Sequence, residues 1–91
     1  MDKPFRALAD PTRRRILELL KERDLAAGDI AAEFPIAWAS VSHHLQVLRD
    51  AGLVLAERNG QSIRYSLNTT VFQEVIRHLL EIAPTRKKKG G

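Results

Sequence analysis

Ninety-one residues without a cysteine make one domain, and they exclude a two-domain enzyme, a disulfide framework, a thiolate metal site and a cysteine nucleophile. Charges break every apolar run short of the roughly 20 residues a membrane-crossing helix needs, and Asp2, Lys3 and Arg6 do not read as a secretory signal, so the cytoplasm is the expected compartment. The net charge of +4 resides in Arg86, Lys87, Lys88 and Lys89; without those four, eleven basic residues face eleven acids, and any case for nucleic acid rests on where charges sit.

Asp2 is a candidate N-cap for a short first helix, with Pro4 in its first turn and Phe5 and Leu8 one turn apart. Asp10-Pro11 repeats the pattern of cap and proline, and Ile16, Leu17, Leu19 and Leu20 give a second helix, to about residue 22, an apolar face. A short third helix is expected from about Ala27 to Phe34, with Ile30 and Phe34 on one face. Its start is weak, because Ala26 and Ala27 stand where Ser, Thr or Asp would cap better.

Pro35 ends that helix, and a longer one is predicted from Ala37 or Ala39 to Asp50. Val41, His44, Leu45 and Leu48 follow the i, i+3, i+4, i+7 spacing of a buried stripe. Ala39, Ser42, His43, Gln46 and Asp50 fall opposite, with Arg49 at the margin, so a small, hydrogen-bonding face looks outward. Gly52 stands where a helix-ending glycine belongs.

From residue 53 the period changes to alternation. Asn59-Gly60 predicts a hairpin with a type I′ turn, pairing Ala56 with Ile63 and Val54 with Tyr65. Val54, Ala56, Ile63, Tyr65 and Leu67 then share one face, Leu55, Glu57, Ser62 and Arg64 the other, and Arg58 to Gln61 form the tip. Asn68, Thr69 and Thr70 are caps for a last helix, Thr70 with Gln73 as a capping box. Phe72, Val75, Ile76, Leu79 and Ala83, widened by Val71, Leu80 and Ile82, make its apolar surface too broad for one small chain. The expected organisation is a domain over 1–84 and a basic, disordered tail over 85–91.

Four helices, a hairpin and a closing helix are the order of a winged helix-turn-helix: a mainly α fold with a two-stranded β-hairpin. In that architecture the second helix of the turn motif enters the major groove of DNA, here the one ending at Asp50, and the hairpin reaches the backbone alongside. The residues suit those places. Ser42 and His43 can reach base edges and Gln46 can pair bidentately with adenine. Arg49, Arg58 and Arg64 are placed to neutralise phosphates, and Ser40 completes the set of expected DNA contacts.

Three stretches also carry a family resemblance. Ala9-Asp-Pro-Thr-Arg-Arg-Arg-Ile-Leu17, Ser42-His-His-Leu-Gln-Val-Leu-Arg49, and Ala51-Gly-Leu-Val54 with the hairpin ending Tyr65-Ser-Leu-Asn68 resemble the ArsR family of bacterial repressors. Over about residues 3 to 83 the likeness is greatest to its metal-independent SdpR-type autorepressors. The resemblance implies a homodimer built from residues 3–9 and 70–83, a palindromic double-stranded operator and repression of transcription.

Departures from the family are specific. Where metal-sensing relatives carry Cys-x-Cys, Asp24 to Asp29 has no thiol. Of the zinc motif that other relatives place on the last helix, His78 and Glu81 supply half, and the other half falls on Tyr65 and Leu67. No metal and no cofactor are therefore expected, with a cysteine-free metal sensor kept as an alternative. Ile36-Ala-Trp-Ala-Ser40 replaces a polar lead-in to the recognition helix. Trp38 is expected to pack at the domain edge, with stacking near DNA the other reading, and His44 to be a core histidine with one hydrogen bond. Arg13 to Arg15 form either a solvated face or partners for an acid or a phosphate.

Ser42 beside His43 is no catalytic dyad, since neighbours on a helix do not face each other and no acid accompanies them, so an enzyme is not expected. A winged helix used only for protein interaction is the other class the fold allows. An inducer or anti-repressor protein has no signature in the sequence.

Overall fold

The computed structural model describes residues 1–84 and 86; the expected tail, apart from an exposed Arg86, lies outside the described residues. The elements are α1 (Asp2–Leu8), α2 (Pro11–Glu22), β1 (Leu25–Ala26), α3 (Ala27–Ala31), α4 (Trp38–Asp50), β2 (Val54–Asn59), β3 (Ser62–Leu67) and α5 (Thr69–Ile82). The start of α2 answers a local signal: Pro11 occupies the first turn and the Asp10 carboxylate accepts the Arg13 backbone N–H at 3.0 Å. At the end of α4, Gly52 takes φ +77°. Its N–H donates to Arg49 O at 2.9 Å and that of Leu53 to Leu48 O at 3.0 Å, the paired bonds of a Schellman motif.

The core lies where α2, α3, α4 and the sheet converge. Ile16, Ile30, Val41, Leu45, Leu48 and Leu53 are its largest fully buried side chains, and Tyr65 closes it from β3. The His44 side chain of the predicted stripe is 16% exposed, with its ring turned toward the start of α2.

The sheet and its turn differ from expectation. The hairpin gains a third strand, giving an antiparallel sheet of order β1-β3-β2 in which Leu25 pairs with Tyr65 and Ala26 with Arg64. Two residues are too few to show alternation, and their partner lies forty residues further on. The hairpin register is shifted by two: Ala56 pairs with Tyr65, Val54 with Leu67 and Arg58 with Ile63. That register pairs all six residues of each strand and keeps every side chain on its predicted face, because strand faces repeat every two residues. The loop is then Gly60-Gln61, with positive φ at Gly60 alone, as a type II′ turn requires and a type I′ turn does not allow.

Helix starts and ends moved as well. Asp2 is the first residue of α1, with Met1 before it and no side-chain cap. Asn68, whose Oδ1 accepts the Val71 N–H at 3.4 Å, caps α5 in place of the Thr70–Gln73 box. And α3 stops at Ala31, with Phe34 packing on the core from the turn beyond it.

On α5 only Val75 is buried; Ile76, Leu79, Leu80 and Ile82 are 46–68% exposed. Phe5 of α1 meets His78 of α5 with ring centroids 5.7 Å apart, so the histidine is half-buried against an aromatic ring. Among the described residues no helix is long and apolar enough to cross a membrane.

Candidate nucleic-acid interface

Helix α4 is held from beneath by Val41, Leu45 and Leu48, and this buried side fixes which residues face out. Ser40, Ser42, His43, Gln46 and Arg49 are all exposed. Trp38, Ser42, Gln46 and Asp50 follow one another at intervals of four and so form one ridge. Along it the Gln46 Nε2 donates to Asp50 Oδ1 at 2.8 Å, so the amide is engaged within the helix and has to leave that partner before pairing with anything else. The Asp50 carboxylate also makes this end of the ridge acidic, and Arg49 beside it offsets one charge with the other.

The hairpin arginines diverge. Arg58 extends from the outer half of β2, opposite Ile63, and makes no hydrogen bond or ion pair among the described residues. Arg64 stands opposite Glu57 on the outer face of β3, yet its Nη1 donates to the Asp24 carbonyl at 3.3 Å, bringing it toward β1. The acceptor immediately precedes β1, the strand that the alternation pattern could not reveal.

The start of α4 differs from the expectation. Ala37 supplies no side-chain cap, and Trp38 is 54% exposed with Ile36 42% exposed beside it. The indole does not plug the domain edge. Among the described residues no three His, Asp or Glu side chains converge in a way that would hold a metal ion.

Behind α4 lies a polar cluster that sequence reasoning left unassigned. His44 Nδ1 is 3.9 Å from Asp10 Oδ2 and 3.2 Å from Arg13 Nη1. The Asp10 carboxyl is held below the ordinary aspartate range, first by the hydrogen bond from the Arg13 backbone N–H, against the opposing effect of desolvation, and then by the nearby His44 and Arg13. The signal for this cluster was the Asp10-to-Arg13 cap spacing; the His44 partner, thirty-one residues from Arg13, had none.

Residues 10–55 match the family model of bacterial regulatory proteins of the arsR family. The chain belongs to the ArsR family. It is 52% identical over 80 residues to the transcriptional repressor SdpR of Bacillus subtilis, covering 88% of this chain and 89% of that protein. The transcriptional repressor SmtB homolog of Synechocystis is 38% identical over 85% of this chain, which spans 61% of that longer protein. Among solved structures, an ArsR-like transcriptional regulator from Rhodococcus superposes with a TM-score of 0.82 at 32% identity, over 89% of this chain and 74% of the other. This ArsR-family protein is a DNA-binding transcriptional regulator with a winged helix-turn-helix fold, and not an enzyme.

Proposed function

We propose that this ArsR-family protein represses transcription, its own included, as a homodimer on an inverted-repeat operator in the cytoplasm. One observation carries the reading: α4 is anchored by a fully buried side while Ser42, His43 and Gln46 project from the other, so a rigid helix presents hydrogen-bonding groups at the spacing a major groove accepts. Ser42, His43 and Gln46 read base edges. Ser40, Arg49, Arg58 and Arg64 neutralise or hydrogen-bond phosphates and set the register without reading sequence.

The exposed apolar face of α5 supports the dimer, since four large side chains left in water on a chain this small are stabilised by covering them with a copy of themselves. Such a dimer is two-fold symmetric and asks for two half-sites about one helical turn apart, or a small multiple of that. The relative SdpR is named a transcriptional repressor, and the likeness to it extends through the hairpin and α5. Selection from a randomised duplex library with the purified protein tests the reading: an enriched inverted repeat is expected, and a library that returns no common sequence contradicts it.

A further inference from the structure

The first turn of α4 lacks what a base-reading helix normally offers. From Ile36 to Ala39 the only side-chain hydrogen-bonding group is the indole N–H of Trp38, and it has no partner among the described residues. Both large side chains there are exposed to water, Ile36 by 42% and Trp38 by 54%. Trp38 heads the ridge that continues through Ser42 to Gln46, so this apolar patch is continuous with the polar reading face. It is also set apart from α1, which meets the other end of α4: Lys3 and Arg6 share a cleft with Val47, Asp50 and Ala51. A second copy docking on α1 and α5 therefore leaves the indole uncovered.

In a recognition helix the N-terminal residues are the ones that meet base edges. An apolar surface there can match only one major-groove feature of the four unmodified base pairs, the C5 methyl of thymine. We infer that Trp38, with Ile36 beside it, is a specificity-determining residue that reads thymine methyl groups in each operator half-site. The inference rests on the proposed repressor function. It adds that the outer part of each half-site is selected by methyl contact and the inner part by the hydrogen bonds of Ser42, His43 and Gln46.

Replacing thymine by deoxyuridine removes that methyl and leaves the hydrogen-bonding pattern intact. On a duplex enriched from the randomised library, each thymine is replaced in turn and binding of the full chain is followed by anisotropy. At one or two positions per half-site the exchange weakens binding by about fourfold for each methyl, the equivalent of one buried carbon. Trp38→Phe keeps that sensitivity, whereas Trp38→Gln binds thymine and deoxyuridine duplexes equally. Because Trp38 is the only tryptophan, the unaltered protein gives a second readout: its emission shifts to the blue as the operator covers the indole. A wild-type protein indifferent to every exchange, a Trp38→Gln variant that retains the sensitivity, or emission unchanged on binding overturns the inference. No enriched duplex overturns the repressor reading itself, and this inference with it.

Discussion

Arg13 Nη1 lies 3.2 Å from the Nδ1 of His44, thirty-one residues further along the chain. A guanidinium only donates, so this hydrogen bond belongs to the tautomer whose Nδ1 is free to accept. The same guanidinium donates through Nε to Ala7 O at 2.8 Å and through Nη2 to Arg6 O at 3.1 Å, two carbonyls of the last turn of α1. One side chain thus joins the end of α1, the start of α2 and the middle of the recognition helix. Arg13→Ala is expected to cost about 2 kcal/mol in urea denaturation, the scale of a few partly exposed charge-assisted bonds. Arg13→Lys recovers less than half of it, because a single ammonium cannot reach acceptors on three sides.

Asp10 supplies the other half of this junction, and its effect depends on pH. Asp10→Ala costs about 1 kcal/mol near neutrality through the lost cap, while Asp10→Asn keeps the cap and loses only the charge. Since the carboxyl is held below its ordinary value in the folded chain, its charge stabilises the fold above the unfolded pKa of about 3.9. That contribution is lost as pH falls through the lower folded value. The urea midpoints of the wild type and Asp10→Asn are therefore expected to converge in acid and to separate above about pH 4.

The apolar face of α5 makes a prediction about mass. At micromolar concentration sedimentation should show two chains together, and Ile76→Glu with Leu80→Glu should leave single chains. Both residues are more than half exposed in the protomer, so the double variant should keep the circular dichroism of a folded chain. Single chains from the wild type would contradict the dimer.

On DNA the side chains of α4 and the hairpin are expected to act differently. Gln46→Ala should cost about 1 to 3 kcal/mol on the preferred operator and less on random DNA, while Arg64→Ala weakens both and flattens the salt dependence by about one unit. Asp50→Asn should tighten binding, because it removes a carboxylate from the reading face and loosens the hold on Gln46. Equal losses on specific and random DNA for Gln46→Ala and Arg64→Ala would contradict this division.

Zinc is expected to change operator affinity by less than about threefold between chelator and micromolar metal, because binding strong enough to matter needs three or four preorganised ligands. His78 rests against Phe5. Release of the operator by zinc, lost again in His78→Ala, would identify a cysteine-free sensor instead.

What was legible in the sequence was local. The Asp10-Pro11 start, the Gly52 end and the outward ridge of α4 each depend on residues within one or two turns, and they stand where spacing put them. The hairpin was visible from Asn59-Gly60, but its register was decided by full pairing of Val54–Asn59 with Ser62–Leu67, which the turn dipeptide does not encode. Strand β1 and the partner of His44 depend on residues thirty or more positions away. The exposure of Trp38 was hidden for another reason: an aromatic near an apolar stripe reads as packing at the domain edge until the backbone shows that it heads the opposite ridge.

The most direct measurement is genomic footprinting with the purified protein, compared with Gln46→Ala. The account predicts protected sites that share an inverted repeat, with half-sites about one helical turn or a small multiple apart, one of them in the protein's own promoter, and loss of that pattern in the variant. Protection spread evenly over the genome with no shared sequence, or the same pattern in Gln46→Ala, would contradict α4 as the reader of an operator.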